Sequence, residues 1–136
     1  METIEIQNTE KNEIRNITSE IKEKVADSGV KEGLCVVTIP HVSAGLLLAE
    51  DERGIRIDYI NLLNQLIPNR NNYYHHDECD VNGAEQLRSI LIGTTNIIPI
   101  SNGKLILGDW QYILFIELDG PRELRYVHIT IMNGNI

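Results

Sequence analysis

The last third of the chain contains apolar runs separated by turn residues, a pattern typical of consecutive strands. Asn102-Gly103 lies between two apolar runs, and both residues tolerate the positive φ angles of a type I′ hairpin turn. Asp119-Gly120-Pro121-Arg122 provides the next turn. The pattern therefore predicts a hairpin over 95–108, followed by strands over 110–118 and 124–132. A meander of this kind needs a second layer to cover its apolar face.

The beginning of the chain predicts one strand and one amphipathic helix. Thr3 to Gln7 alternates apolar and polar residues, as a half-buried strand does. Thr18 is the expected N-cap of the helix, and Gly29 stands where a left-handed residue would follow the last turn. The inward face of this helix has an apolar residue at every fourth position: Ile17, Ile21 and Val25.

Two strands and two helices are predicted in the middle of the chain. The run 34–40 is rich in β-branched residues and predicts a buried strand, and a second strand follows over 43–50. Turn residues at 50–54 lead into an amphipathic helix that Pro68 ends. The apolar face of that helix contains four residues: Ile57, Ile60, Leu63 and Ile67.

The mostly polar stretch 69–81 predicts a surface loop before the next helix. Asn82 is the expected N-cap of that helix, with Glu85 as its capping-box partner, and Gly93 ends it. Its apolar residues are expected to face inward: Leu87, Ile90 and Leu91.

The predicted element order is β-α-β-β-α-α-β-β-β-β. Short connections between neighbouring strands favour a mainly antiparallel sheet with the helices packed on one face, which is an α+β fold. A chain of 136 residues can bury a substantial core, and we expect a single domain over 1–136.

Composition and charge narrow the classes of partner. A formal net charge of −8 argues against a broad nucleic-acid or anionic-membrane surface. No apolar run approaches the roughly 20 residues of a membrane span, and the acidic N-terminus lacks the apolar segment of a signal peptide. We therefore expect a cytoplasmic protein that binds neither nucleic acid nor membrane. Its two cysteines, Cys35 and Cys79, are expected to be reduced thiols.

The predicted loop before the last helix contains a first group of candidate site residues, His75-His76-Asp77-Glu78-Cys79-Asp80. Imidazole, carboxylate and thiol groups are the ligands that transition metals prefer. The segment lacks the paired CxxC or HxxxH spacing of zinc sites, so a polar surface loop is the alternative interpretation.

A second group lies where the buried strand 34–40 ends. His41 and Ser43 follow this strand, and a histidine in this place is either structural or catalytic. Glu50 would come near His41 if the strands 34–40 and 43–50 pair with each other.

A third group lies in the C-terminal meander: Trp110, Gln111, Glu117, Asp119 and Arg122. A tryptophan that opens a strand is usually a core residue, so Trp110 is expected in the core. Gln111 is compatible with a solvent-facing position. Arg122 either binds a phosphate with its planar guanidinium or forms an ion pair with Asp119.

Taken together, these residues resemble the YjbQ-like family, whose members are often labelled secondary thiamine-phosphate synthases. PHVSAGLLLAEDE resembles the family's His-Thr-Thr-Ala segment followed by Asn-Glu. Tyr74-His75-His76-Asp77 resembles Tyr-x-His-Asp, and the segment 82–87 resembles Asn-x-x-Ala-His-Leu. The most specific similarities are in the C-terminal third: Ile98-Pro99, Asn102-Gly103-Lys104-Leu105, Leu107-Gly108-x-Trp110-Gln111 and Glu117-x-Asp119-Gly120-Pro121-Arg122.

The resemblance implies a homotrimer with a site near the subunit boundaries and a phosphorylated small-molecule substrate. In the implied reaction, the nitrogen of a thiazole phosphate attacks the methylene of hydroxymethylpyrimidine diphosphate, and diphosphate leaves. Such chemistry needs charge neutralisation on the leaving group, usually by Mg²⁺ and by Arg or Lys. Arg122 and Lys104 are the implied cations, and Glu50 and Asp77 the carboxylates for an ion.

The resemblance also implies roles for individual residues. The implied catalytic residues are His41, Glu50 and His76. The implied substrate-binding residues are Ser43, Trp110, Gln111 and Arg122. The implied ligands of a divalent ion, Mg²⁺ or Zn²⁺, are His41, His76 and Gln86, the last standing where the family has its third histidine.

The glutamine at position 86 leaves two other functions open. Gln86 cannot titrate and offers a transition metal only a carbonyl oxygen, so the alternative is a non-catalytic homotrimer that binds a small ligand or a protein partner. His75 is a possible substitute ligand. A third option is a hydrolase with a metal-bound water at His41 and His76, although two histidines are one ligand short of the usual catalytic zinc set.

Overall fold

Two antiparallel sheets and a pair of helices form three layers in the computed structural model, which describes residues 1–78 and 81–134. This arrangement confirms the predicted α+β class. The elements in chain order are β1 (Glu2–Thr9), β2 (Ile14–Asn16), α1 (Thr18–Ser28), β3 (Gly33–Thr38), β4 (Ala44–Ala49), α2 (Arg53–Leu66), α3 (His75–Glu78), α4 (Gly83–Ile92), β5 (Thr95–Ser101), β6 (Lys104–Leu105), β7 (Tyr112–Glu117) and β8 (Arg122–Asn133).

The larger sheet has five strands in the order β1-β8-β3-β5-β6, and the smaller sheet has three in the order β2-β7-β4. The main core lies between the two sheets and includes the inward face of α1, through Ile21 and Val25. A second cluster lies on the other face of the small sheet, where α2 and the end of α4 cover Leu114 and Ile116. The small sheet is therefore the middle layer, and residues 113–117 of β7 are buried on both faces.

Several local predictions are confirmed by the backbone. Asn102 and Gly103 have φ angles of 51° and 76°, as the hairpin turn between β5 and β6 requires. Gly29 follows α1 with a left-handed φ of 71°. The helix α2 ends at Leu66, just before Pro68. Burial raises the pKa of the Cys35 thiol to about 11, so this cysteine is protonated; Cys79 lies outside the described residues.

The two strands on either side of His41 do not pair with each other, although such pairing was the condition for Glu50 to come near His41. β3 pairs with β5 and β8 in the large sheet, whereas β4 pairs with β7 in the small sheet. The short connection between β3 and β4 therefore crosses from one sheet to the other. Two small elements were also not predicted, namely the three-residue strand β2 and the single turn α3 inside the expected loop 69–81.

Of the two predicted helix caps, that of α1 is wrong, and that of α4 is right in position but lacks the predicted side-chain hydrogen bonds. Thr18 is the first residue of α1 rather than its N-cap, because its hydroxyl accepts a hydrogen bond from the Ile113 amide at 2.8 Å and donates to Asn16 Oδ1 at 2.6 Å. Asn82 precedes α4 but makes no side-chain cap. Glu85 is not its capping-box partner, since the Glu85 carboxylate binds Lys11 Nζ at 2.9 Å.

The predicted inward face of α4 is also wrong. Ile90 is 77% exposed, and Leu87 and Leu91 are exposed as well. The buried face of α4 consists of small and polar residues: Gly83, Ala84, Glu85, Arg88 and Ser89. These polar groups have partners, since the Arg88 guanidinium donates to the Ile67 carbonyl at 2.7 Å and Ser89 Oγ donates to the Ala44 carbonyl at 2.6 Å.

The outer face of the large sheet is not covered by a helix of the described chain. Cross-strand pairs place Val36 beside Ile97, and Leu34 beside Pro99 and Met132. Ile97 is 60% exposed and Met132 is exposed too. This face is therefore an apolar surface on the outside of the molecule. In the part of the chain that the structure describes, no helix is both long and apolar enough to cross a membrane.

Gly33 allows β3 and β8 to approach each other closely. A Cβ atom at this position would lie 1.9 Å from the Met132 carbonyl oxygen, which is part of the partner strand's backbone. Such an overlap can be relieved only by separating the two strands, since neither atom belongs to a side chain that could rotate away.

We expect Gly33→Ala to lower the free energy of unfolding by about 1–3 kcal/mol, the usual cost of overpacking. The measurement is urea denaturation followed by circular dichroism. Gly134→Ala is the matched control, because a Cβ atom there meets nothing within 4 Å. Equal stability of the two variants would show that the contact between β3 and β8 is not as close as described.

Candidate functional site

The connection between β3 and β4 positions His41 at one end of both sheets. The Ile39 amide donates to the Thr94 carbonyl and the Leu46 amide donates to the Gly93 carbonyl, each at 3.0 Å, so the segment after α4 holds both sides of the connection. His41 Nε2 accepts a hydrogen bond from the Tyr126 amide of β8 at 2.9 Å. The ring of His41 is thereby held over the edge of the large sheet.

A cavity of about 290 Å³ opens beside His41. It lies between the β3–β4 connection and α4, and exposed apolar side chains of Val42 and Ile90 form part of its rim. The lining residues are His41, Val42, Gln86, Ser89, Ile90, Gly93 and Thr94. Two of the residues that the resemblance implicates, His41 and Gln86, are therefore brought together.

The hydrogen bond from Tyr126 determines the chemistry that His41 can offer. Burial lowers the pKa of His41, and the positive charge of Arg125 lowers it further, so the ring is neutral near pH 7. Because Nε2 accepts the Tyr126 amide hydrogen, the proton of the neutral ring is on Nδ1. His41 is therefore a hydrogen-bond donor through Nδ1, and its Nε2 lone pair is already used.

A buried ion pair lies directly behind His41. Arg125 Nη2 and Nε donate to the two carboxylate oxygens of Glu117 at 2.6 and 2.8 Å. Thr9 Oγ1 donates to the same carboxylate at 2.7 Å, and the Asp119 amide donates at 3.0 Å. Arg125 Nη2 also donates to the carbonyl and the hydroxyl oxygen of Ser43 at 3.2 and 3.1 Å. Ser43, an implied substrate-binding residue, is thus part of this buried network.

The two neighbouring histidines of α3 have different partners. His76 Nε2 accepts from the Gly83 amide at 3.0 Å, and its Nδ1 is 3.3 Å from the Asn71 carbonyl. His75 Nε2 lies 2.8 Å from Asn82 Oδ1 and 3.3 Å from Gln86 Nε2. His75, rather than His76, is therefore the α3 histidine that touches Gln86.

His76 lines a separate cavity of about 280 Å³, on the other side of the start of α4. The lining residues of that cavity are Lys11, Asn69, Arg70, Asn71, His76, Val81, Ala84 and Glu85. Cys79 and Asp80 of the metal-ligand-rich segment lie outside the described residues. Asp77 is exposed at the surface of α3.

Arg122 is held in an ion pair at the turn before β8. Its Nη2 donates to Asp119 Oδ2 at 2.8 Å, and Asn82 Nδ2 donates to the same oxygen at 2.9 Å. Of the two alternatives for Arg122, the structure shows the ion pair with Asp119. Through Asn82, this pair is linked to His75 and so to the Gln86 side of the His41 cavity.

The remaining implied site residues lie at the opposite end of the small sheet. Ala49 pairs with Tyr112, so Glu50, Trp110 and Gln111 share that end, whereas Ala44 and Glu117 pair at the His41 end. Five residue steps separate the two ends, which corresponds to roughly 17 Å along a strand. Trp110 is 72% exposed there and is not a core residue. Glu50 is exposed, and its carbonyl accepts from the Tyr59 hydroxyl at 2.9 Å.

The implied metal ligands do not fit a metal ion within one copy of the chain. Nε2 of both His41 and His76 already accepts a backbone amide hydrogen, and the two rings line different cavities. Among residues 1–78 and 81–134, no three His, Cys, Asp or Glu side chains form a group that could hold an ion. Binding of Mg²⁺ or Zn²⁺ stays a prediction from the resemblance.

Two residues of the buried network were not identified from sequence. Arg125 occupies an inward position of β8, in phase with the buried Val127 and Ile129. A charged residue in the apolar phase of a strand indicates a buried partner, because an unpaired charge is too costly to bury. Thr9 lies at the end of β1 opposite Arg122, and no sequence pattern distinguishes it from other strand residues.

Comparison with known proteins finds relatives along almost the whole chain. A family model described as UPF0047 protein YjbQ-like matches residues 2–134. A UPF0047 protein of Archaeoglobus fulgidus is 38% identical over 115 residues, which cover 85% of this chain and 88% of that protein.

Solved structures agree with the fold. A YbjQ-like protein of unknown function from Sulfolobus solfataricus superposes with a TM-score of 0.91 at 28% identity, covering 98% of this chain and 96% of that one. An uncharacterised protein of the YjbQ/UPF0047 family from Clostridium acetobutylicum has a TM-score of 0.88 at 33% identity, covering 97% of this chain and 100% of that one. The names of these relatives state a family and no activity.

The buried pair behind His41 predicts a pH-dependent stability. Burial acts to raise the pKa of Glu117, but hydrogen bonds from Arg125, Thr9 and the Asp119 amide outweigh it and lower the pKa below its usual value. Glu117 therefore binds a proton in the unfolded chain at a higher pH, about 4.3, than in the folded chain. Its contribution to the free energy of unfolding is complete above that pH and is lost as the pH falls through the folded-state pKa.

We expect Glu117→Gln to lower the free energy of unfolding at pH 7 by about 3 kcal/mol, because it leaves the Arg125 charge buried without a counterion. The variant should also lose less further stability than the parent between pH 5 and pH 3, measured by urea denaturation at each pH. Lys24→Gln is the control, since Lys24 and Glu2 form an exposed pair at 3.4 Å that is worth less than about 1 kcal/mol. Equal losses in both variants would contradict the central role of the buried pair.

Proposed function

Because the chain belongs to the YjbQ-like family of UPF0047 proteins, we propose that it is a homotrimer that binds a small phosphorylated substrate at the His41 cavity. The family resemblance suggests the substrates: a thiazole phosphate and hydroxymethylpyrimidine diphosphate, coupled to thiamine phosphate. The observation that carries this proposal is the convergence of His41 and Gln86 on one cavity of about 290 Å³.

The groups present suit a reaction that requires orientation rather than proton transfer. The thiazole nitrogen uses its own lone pair to form the new carbon–nitrogen bond, while the bond between the methylene carbon and the diphosphate oxygen breaks. No proton moves in this step, so neither a general base nor a titratable group at position 86 is required. The Nδ1 hydrogen of His41 and the amide of Gln86 are donors suited to phosphate oxygens.

The surface around the cavity supports assembly of several copies. Val42 and Ile90 are exposed apolar residues at the rim of the cavity, and Leu87 and Leu91 of α4 are exposed as well. The outer face of the large sheet carries further exposed apolar residues, including Ile97 and Met132. Exposed apolar surfaces are typical of interaction sites. Two different surfaces are what a ring of three copies requires, since each copy meets its two neighbours through different faces.

The division of the implied site residues supports a shared site. His41, Ser43 and Gln86 lie at one end of the small sheet, and Glu50, Trp110 and Gln111 lie at the other. We propose that the head-to-tail contacts of the ring bring the Trp110 end of one copy to the His41 cavity of the next. The exposed indole of Trp110 would then close the cavity, and Glu50 would approach it from the neighbouring copy.

Mixed trimers test this arrangement. His41→Ala and Trp110→Ala should each reduce thiamine phosphate formation by roughly tenfold or more, in line with the loss of a positioning group. Trimers assembled from a 1:1 mixture of the two variants should regain about one quarter of the parental sites, because random assembly pairs an intact His41 with an intact neighbouring Trp110 at that frequency. The measurement is product formation by chromatography, with light scattering to confirm three copies.

Binding measurements provide the second readout. The parent should bind both precursors at millimolar concentration in calorimetric titrations. Absence of binding by either precursor would overturn the proposal as a whole. Recovery of no sites in the mixture, although both variants form trimers, would place His41 and Trp110 in separate functions. A monomeric parent at micromolar concentration would exclude the shared site.

A non-catalytic ligand-binding trimer is the second candidate function. The observation that favours it is the set of contacts around position 86, where the carboxamide of Gln86 lies between the His41 cavity and the His75 ring. No cation lines this cavity among the described residues, and Arg122 is already paired with Asp119. Such a site can hold a polar ligand and lacks the positive charge that departure of diphosphate requires.

Gln86→His distinguishes the two candidates. If the parent has lost a metal site, the substitution should raise the affinity for Zn²⁺ by at least roughly tenfold, because it places a second imidazole beside His75, whose Nε2 lies 3.3 Å from Gln86 Nε2. Metal content after dialysis against Zn²⁺ is the measurement. Leu87→His is the matched control, because it adds an imidazole on the exposed side of the same helix turn. Stoichiometric metal in the purified parent would contradict the non-catalytic alternative.

A further inference from the structure

We propose that a third cavity, between α1 and the β5–β6 hairpin, binds a small organic anion that has an apolar body. The cavity has a volume of about 400 Å³ and is lined by Lys22, Val25, Ala26, Gly103, Lys104 and Leu105. This volume lies within the range of about 300–1,000 Å³ that is usual for small-molecule sites. Of its lining residues, the resemblance implicates only Lys104, as a phosphate cation, and the function proposed for the His41 cavity does not involve this cavity.

The floor of this lysine cavity is apolar and continuous with the main core. Val25 of α1 is 2% exposed and belongs to the core between the two sheets. Leu105 of β6 packs against the same core from the edge of the large sheet. An apolar ligand body placed here would cover carbon surface that α1 and β6 leave open between them, which is a favourable transfer from water.

The rim of the lysine cavity is cationic. Lys22 and Lys104 line it from opposite sides, and Lys31 lies close to the hairpin, with Nζ 3.4 Å from the place of a Cβ atom on Gly103. Within residues 1–78 and 81–134, none of these three lysines is in an ion pair. The nearest hairpin carboxylate, Glu32, is engaged by the Asn102 amide and the Ser101 hydroxyl.

This group of cations contrasts with the rest of the chain, which has 20 acidic and 12 basic residues. The ammonium groups of Lys22 and Lys104 beside an apolar floor, with Lys31 near the hairpin, favour a ligand with one anionic group and a hydrocarbon part. An ion without an apolar body would leave the floor open to water, and a cationic amphiphile would be repelled by the rim. Charge and surface type together therefore define the ligand class.

The walls of the lysine cavity are formed before a ligand arrives. The left-handed Asn102 and Gly103 fix the hairpin turn, and the Gly103 amide donates to the Lys31 carbonyl at 3.0 Å. The turn is thus attached to the segment that follows α1. A preformed wall reduces the ordering cost of binding.

The lysine cavity is separate from the His41 cavity. The hairpin adjoins the Gly33 end of β3, whereas His41 follows the Thr38 end. Five residue steps along β3 correspond to roughly 17 Å. Lys104, which the resemblance implicates as a phosphate cation, therefore belongs to the lysine cavity and not to the His41 cavity of the same copy.

Titration of the full chain with octanoate, monitored by methyl NMR, tests the proposal. We expect octanoate to shift the methyl resonances of Val25, Ala26 and Leu105 in a saturable way at millimolar concentration. Inorganic phosphate and octylammonium are the comparison probes, and each should shift the same methyl resonances at least roughly tenfold less at equal concentration. Equal shifts by all three probes, or no shift of these resonances by octanoate, would overturn the proposal.

Two lysines of α1 provide a matched pair of variants. Lys22→Glu should weaken octanoate binding by roughly tenfold, because an attractive charge is replaced by a repulsive one. Lys24→Glu makes the same charge change on the same helix but lies beside Glu2, away from the cavity, and should leave binding unchanged. Equal affinities of these two variants would contradict the site.

A third variant tests the cavity without changing any charge. Ala26→Leu fills the space next to Val25 and should abolish the octanoate shifts of the Leu105 methyl groups. Because Ala26 is exposed and Leu is a good helix former, the fold should persist, which circular dichroism checks. Retained binding in this folded variant would show that octanoate binds elsewhere.

Discussion

The ion pair between Glu117 and Arg125 joins the two sheets at the end where the candidate site lies. Glu117 ends β7 in the small sheet, and Arg125 belongs to β8 in the large sheet. Both side chains are almost completely removed from water, so their mutual hydrogen bonds must replace the lost hydration. Thr9, the Asp119 amide and Ser43 supply the remaining partners, and they come from three further segments. The relative position of both sheets and of the β3–β4 connection therefore depends on one pair of charges.

The same pair contributes to the electrostatics of His41. Burial lowers the pKa of the ring most, the nearby guanidinium of Arg125 lowers it further, and the Glu117 carboxylate acts in the opposite direction. The Tyr126 amide then fixes which nitrogen carries the proton. A neutral histidine held in this way can donate a hydrogen bond through Nδ1. This is a reason to view the site as one that orients a polar ligand.

Local features were predictable where one residue type satisfies one backbone requirement. The hairpin at Asn102-Gly103 and the left-handed Gly29 follow from steric limits on φ, which act within two or three residues. The neighbourhood of His41 with Gln86 followed only from a resemblance, because it depends on a contact between segments more than 40 positions apart. The partition of β3 and β4 into different sheets was not predictable from alternation, since a short connection serves a hairpin and a sheet-to-sheet crossing equally well. The buried Arg125 was detectable in principle, as a charge in the apolar phase of β8.

The apolar side of α4 faces outward, which is the most informative error of the prediction from hydrophobic periodicity. The apolar residues of α4 lie on one side of the helix, yet the buried side consists of small and polar residues, of which Ser89 bonds to β4 of the small sheet and Arg88 bonds to the residue after α2. Periodicity identifies an apolar stripe but cannot tell which neighbour will cover it. Inside one copy, buried carbonyls of Ile67 and Ala44 need donors, and Arg88 and Ser89 provide them, so the polar side of α4 has to face inward. The apolar stripe is then left exposed, with Ile90 at the rim of the His41 cavity. The surface that appears misplaced in a single chain is thus the one that the proposed assembly would cover.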